Sequence, residues 1–253
     1  MTIYYLFIFA FGAIVGSFLN VVILRYNTNE PILKGKSRCF SCNKNLKWYE
    51  LIPIVSFIIQ GGKCRECKSK ISWQYPIVEI LSGIVFLSVF SINYQILNNL
   101  SLYFILSTLY YLAIFSLLIV IAVYDLRHQI IPDFFVYSFD VLAFFAPLVT
   151  SYKLQVTSFL AGILFFSFFG LLWLASRGRW MGFGDAKLVL GMGWLLGFYK
   201  GLWALLFAFW IGAIVGIFLV LFSKKRYNLN SAIPFGPFLV LGTLISFLVK
   251  ISV

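Results

Sequence analysis

Acidic side chains are scarce in this chain: eight Asp and Glu stand against twenty Lys and Arg in 253 residues, beside a single histidine. Charged residues total 11%, where a soluble domain carries roughly a quarter. Hydrophobic residues reach 62%, and the mean hydropathy is +0.96. That poverty of charge excludes a soluble globular protein and predicts an integral membrane protein. The short alternating segments that build a membrane β-barrel are missing too, so the spans are expected to be helices. A basic start is lacking: the first basic residue, Arg25, follows the apolar run instead of preceding it. An uncleaved first span is therefore expected in place of a cleaved signal peptide. No aromatic stacking platform accompanies the basic residues, so the net charge of +12 speaks for membrane lipids of an anionic leaflet and against nucleic acid.

What is present is a series of apolar runs near 3–24, 77–93, 101–124, 134–150, 155–175, 186–199, 201–222 and 235–250. Most reach the roughly 17–25 residues a spanning helix needs. With eight spans and the N-terminus outside, 17 of the 20 Lys and Arg fall on the inner side. This is the asymmetry of the positive-inside rule. Treating 186–222 as one span would move Lys224, Lys225 and Arg226 outward, so a break near Lys200 and Gly201 is expected. The expected fold class is therefore all-α, with about eight transmembrane helices and a cytosolic loop between the first and second. Residues 1–24 form the first helix, 25–75 the loop, and 76–253 a seven-helix membrane domain. Stripes such as Gly12-x3-Gly16, Gly193-x3-Gly197-x3-Gly201 and Gly212-x3-Gly216 are expected to pack helices closely.

All four cysteines lie in that loop, as Cys39-Phe-Ser-Cys42 and Cys64-Arg-Glu-Cys67. Two C-x2-C knuckles have the spacing of a tetrahedral four-cysteine zinc site, and a cytosolic position disfavours the alternative of disulfides. Four thiolates leave no open coordination position, so the expected zinc is structural. Between the knuckles, WYELIPIVSF (48–57) is apolar enough to lie against the membrane or to pack on the zinc fold.

The chemistry is expected elsewhere. YDLRHQIIPD (124–133) and GFGDAKL (182–188) each set a carboxylate where an apolar run meets a polar loop. Carboxylates are costly at membrane depth, which makes Asp125 and Asp185 candidates for an acid–base pair. As a helix N-terminal acid, Asp185 also suits a simple cap; Asp125, at a helix C-terminus, opposes the macrodipole. Asp133 after Pro132 reads as a cap. Asp140 is expected to face the bundle with a polar partner, Glu79 sits about a turn into the second span, and His128 reads as a membrane-edge residue.

GSFLNVVILR (16–25), the two knuckles, QYPIVEILSG (74–83), YDLRHQIIPD, GFGDAKL and IPFGPFLVLG (233–242) stand in one order. Together they resemble the type IV prepilin peptidases, membrane aspartic peptidases of the bacterial inner membrane that also methylate their product. The resemblance implies that Asp125 and Asp185 are the catalytic pair. It implies prepilin-like substrates with a short basic leader and a hydrophobic helix, cut at the cytosolic face. It implies S-adenosylmethionine as methyl donor, although no Gly-rich cofactor loop is visible. Glu50 is followed by Leu51, where many relatives carry Glu-Asn-Ile-Pro.

Peptide hydrolysis by two aspartates needs one ionised and one protonated carboxyl. Helix-end electrostatics point to Asp185 as the base and Asp125 as the acid. Three rival readings are a presenilin-like protease cutting inside the bilayer, a proton-coupled transporter relaying through Asp125, Asp140 and Asp185, and a zinc-organised scaffold with inactive aspartates.

Overall fold

Long apolar runs have no aqueous partner for their backbone groups, so each closes its hydrogen bonds within itself as a helix. The structure, a computed structural model, describes residues 2–28, 30–97, 102–151, 156–222 and 233–249. Lys153, Lys224, Lys225, Arg226 and Lys250, which entered the charge count, lie outside the described residues. Among the described residues eight α-helices follow in order: α1 (Thr2–Arg25), α2 (Val55–Ile59), α3 (Gln74–Leu97), α4 (Leu102–His128), α5 (Asp133–Ser151), α6 (Val156–Ser176), α7 (Phe183–Phe222) and α8 (Gly236–Leu248). Among the described residues there is no strand, only two isolated bridges in the loop. Five helices among the described residues, α1, α3, α4, α6 and α7, are long and apolar enough to cross a membrane. The chain is a multi-pass membrane protein. It divides into two compact units, Met1–Val120 and Ile121–Val253.

In the first unit α1 and α3 run antiparallel. Tyr5 meets Phe90 at 6.1 Å between ring centroids, and near the other end Asn20 donates to the carbonyl of Tyr75 at 3.3 Å. The Gly12/Gly16 stripe lets the backbones touch, for a Cβ on Gly12 would stand 2.7 Å from the Ser82 carbonyl. With no aqueous hydrophobic drive between helices inside a bilayer, such close packing holds them together.

In the second unit the 40 residues of α7 would make a rod of about 60 Å, twice the roughly 30 Å of hydrocarbon. The rod is broken at Gly197, whose φ of 73° and ψ of −176° are open to a residue without Cβ. The contacts show that the chain turns back there. Before the break, Phe183 packs on Trp173 (4.9 Å), and a Cβ on Gly197 would stand 3.3 Å from Ser158 Oγ. Beyond it, Phe198 stacks on Phe165 (5.8 Å) and Phe209 on Phe169 (6.3 Å). Residues 183–196 thus descend α6 and residues 198–222 climb it again. The expected break exists, displaced from Lys200 and Gly201 to Gly197. Each of the eight apolar runs holds a helical segment among the described residues. α8 runs antiparallel to residues 198–222, with Ser246 Oγ donating to the Lys200 carbonyl at 2.6 Å.

Candidate functional site

The second unit gathers three helix ends, the end of α4 and the starts of α7 and α8, with α5 leaving from the turn after α4. α4 ends at His128, and Gln129, in the left-handed region (φ 54°), donates its N–H to the Asp125 carbonyl at 2.8 Å. Pro132 then starts α5, its carbonyl accepting from Phe135 and Val136 at 3.1 Å each. Asp185 stands in the first turn of α7, its N–H bonded to the Gly182 carbonyl at 3.2 Å. The third end is the start of α8, where the Gly236 N–H donates to Asp125 Oδ2 at 3.0 Å. Ile131 packs the three together: Cβ atoms on Gly184 and Gly236 would fall 2.8 and 3.4 Å from its side chain. A Cβ on Gly236 would also stand 2.7 Å from Asp125 Oδ2, so only glycine lets backbone and carboxylate meet.

The two carboxylates interact electrostatically with each other, and both are buried, at 4% exposure for Asp125 and 7% for Asp185. Two acids closed off from water at the junction of three helix ends are a costly arrangement that helix packing does not need. The sequence-expected pair is therefore brought into one neighbourhood. Gly236 was legible only as part of a motif; nothing in the sequence assigned its N–H to Asp125.

Other acids find specific partners. Asp133 lies in the first turn of α5, as a cap should, and also takes the Lys187 ammonium at 2.7 Å. Lys187 lies over the rings of Tyr137 (5.0 Å) and Phe183 (5.2 Å). Asp140 is buried on α5 as expected, with Oδ1 in the space that a Gly191 side chain would take and without a hydrogen-bond partner. Glu79, whose role the sequence left open, accepts the N–H of Ile54 at 2.7 Å. His128 is exposed at the end of α4 and stacks on Tyr124 at 4.3 Å.

In the first unit the Sγ atoms of Cys39, Cys42, Cys64 and Cys67 all lie within 4.8 Å of one another, and Cys39 and Cys67 approach to 3.8 Å. A zinc tetrahedron with Zn–S of about 2.3 Å has sulfur–sulfur edges near 3.8 Å. The two knuckles repeat one backbone pattern. Cys39 donates to the Lys44 carbonyl and accepts from Asn43; Cys64 donates to the Ser69 carbonyl and accepts from Lys68. Asn43 and Lys68 take the same left-handed φ of 55° and 58°, and bridges Arg38–Asn45 and Lys63–Lys70 close each turn. Backbone N–H groups of Cys42 and Ser41 pull the Cys39 thiol down to about 6, so a thiolate is on offer at neutral pH. The donor set and its spacing fit a tetrahedral metal ion. Beside it, buried Glu50 is held below the usual carboxylate range by the Lys47 N–H and by Lys44, which also bridges to Glu66 at 3.1 Å.

Residues 10–93 match the bacterial peptidase A24 N-terminal domain, and residues 112–217 match the type IV leader peptidase family. A prepilin leader peptidase/N-methyltransferase of Myxococcus xanthus is 34% identical over 87% of this chain; the match spans 64% of that longer protein. One of Bacillus subtilis is 31% identical, covering 95% of this chain and 92% of the relative. A type 4 prepilin-like proteins leader peptide-processing enzyme of Escherichia coli is 30% identical over 91% and 88%. No solved structure matches the chain significantly.

Proposed function

We propose, from the premise that this chain belongs to the type IV leader peptidase family, that it removes the leader peptide of prepilin-like precursors and methylates the new N-terminus. The likenesses to prepilin leader peptidase/N-methyltransferases support both activities. They lend no support to the presenilin-like or transporter readings. One observation carries the assignment of the site: Asp125 and Asp185 meet at three helix ends, with the Gly236 N–H on Asp125 Oδ2.

In this reading Asp185 is the base and Asp125 the acid. The Asp185 carboxylate takes a proton from water as the water oxygen attacks the scissile carbonyl carbon. Asp125 donates its proton to the carbonyl oxygen. The Gly236 bond occupies Oδ2 and leaves Oδ1 to carry that proton toward the peptide. Collapse of the tetrahedral adduct returns a proton to Asp125 and expels the amine, protonated by Asp185. Because both carboxyls are buried, the helix ends must part to admit a peptide.

The substrate is a precursor with a short basic leader and a hydrophobic helix, cut at the cytosolic membrane face, with the N-terminus of the enzyme outside and residues 25–75 in the cytosol. Glu50 and Glu66 are already engaged with Lys44, so leader charge finds no free acid there. Apolar contact with the substrate helix carries recognition. Zinc on Cys39, Cys42, Cys64 and Cys67 cross-links a loop with little core of its own, and S-adenosylmethionine supplies the methyl group.

Purified enzyme, incubated with a precursor with and without S-adenosylmethionine, tests this in one mass spectrum. The expected products are the shortened chain alone and the shortened chain plus one methyl. An intact precursor in both samples would overturn the assignment.

A further inference from the structure

Three motifs that cleavage by the aspartate pair leaves unexplained meet at one buried cluster in the first unit. Asn20 of α1 donates to the Tyr75 carbonyl and accepts from Gln74 Nε2 at 3.2 Å, stitching both ends of the loop together. Deeper along α3, the Glu79 carboxyl is tied to Ser17 of α1 and accepts the Ile54 N–H. Ile54 has φ 63° and ψ −55°, and the Pro53 carbonyl accepts the Val55 N–H at 2.5 Å. This is a γ-turn of the strained, left-handed kind, an outlier for a β-branched residue. Such a conformation persists only where its surroundings hold it, and Glu79 is the group that does so.

The depth of that bond matters. Five residues beyond Gln74, at 1.5 Å of rise each, Glu79 lies about 7–8 Å along a membrane-crossing helix. The loop is therefore drawn down to the second turn of α3 instead of standing above it. At that level Leu51, Ile52, Val55, Ile58 and Ile59 remain exposed, Ile58 by 70%. Phe57 instead turns onto Trp73 at 4.9 Å. Exposed Trp48 and Trp73 flank the patch, and the loop, residues 25–75, carries ten basic residues against three acidic ones. Apolar side chains beside tryptophan and positive charge match the boundary between headgroups and acyl chains of an anionic leaflet.

We propose that residues 51–59 are an in-plane membrane anchor, held in the lipid interface by the Glu79–Ile54 latch. The occupant of the patch is lipid, continuous with the lipid that surrounds α3.

The test uses the full-length, zinc-loaded enzyme in nanodiscs of mixed zwitterionic and anionic lipid. An environment-sensitive fluorescent amino acid is placed at Ile58, at exposed Lys34 in the same loop, or at Ile84 within α3. Lipids carrying a nitroxide at a shallow or a deep acyl position serve as quenchers. Ile58 is expected to be quenched severalfold more than Lys34, best by the shallow nitroxide, with Ile84 quenched best by the deep one. Quenching at Ile58 equal to that at Lys34 would overturn the anchor. So would protection of Ile58 that arises only when precursor protein is added, which would make the patch a protein-docking surface. Glu79→Ala, which removes the acceptor, should lower quenching at Ile58 with no change at Ile84; unchanged quenching would overturn the latch. If that variant does not fold, Ser17→Ala is read the same way, and the comparison of Ile58 with Lys34 needs no change at Glu79.

Discussion

The cysteine cluster and the aspartate pair are built on opposite principles. The four sulfurs come from one stretch of 29 residues, 39–67, and each knuckle closes by backbone bonds reaching nine residues at most. The Asp125–Gly236 bond spans 111 residues and depends on where α4, α7 and α8 come to rest. A local site survives disturbance elsewhere and is lost by removing its own ligands. A site of remote parts is sensitive to any helix that carries one of them.

That contrast breaks most sharply at the carboxylates. Asp185→Asn and Asp125→Asn should each lower cleavage by at least about 10²–10⁴-fold, the scale of general acid–base catalysis. Helix content and zinc should be unchanged; product mass, circular dichroism and metal analysis check this, and an active Asp185→Asn enzyme would remove the proposal. Next comes Gly236→Ala, which touches no reacting group. A methyl 2.7 Å from Asp125 Oδ2 must push the carboxylate or α8 aside, and misplacement on this scale costs on the order of 10²-fold in rate. If cleavage by Gly236→Ala matches the parent, the α8 N-terminus does not position Asp125.

The local site sharpens the comparison from the other side. Cys39→Ser or Cys64→Ser should empty the cluster of zinc and loosen residues 25–75. Normal zinc content in either variant would contradict the four-cysteine site. The smallest effect is expected for Asp133→Asn, which removes the partner of Lys187. Asp133 is largely exposed, so its loss should lower stability by only about 1 kcal/mol or less, read as a small fall in melting temperature. A large fall would mean that the Lys187 pair is part of the helix-end junction.

Legibility followed the same division. The knuckles were readable because cysteine spacing over four residues nearly dictates their turn. The helices were readable because apolar runs have one way to satisfy their backbone in lipid. The break in α7 was anticipated from charge, yet fell at Gly197, since charge counting senses which side a lysine is on and is blind to which residue takes a positive φ. Asp133 was seen as a cap, but its partner Lys187 lies 54 positions away and left no local signal. Glu79 showed only as an acid inside a span; its meaning came from the Ile54 turn across the loop.

Composition and spacing alone thus determined a helical membrane protein, a four-thiolate cluster and two acids placed where apolar runs end. These follow from forces that act within a few residues: hydrogen-bond satisfaction in lipid, the cost of a buried charge, and turn geometry. Only the tertiary structure decided that α7 doubles back at Gly197, that Gly236 supplies the N–H on Asp125, and that Glu79 accepts the N–H of Ile54. Those are contacts between side chains and backbones far apart in the chain, set by close packing of whole helices, and no short stretch of residues encodes them.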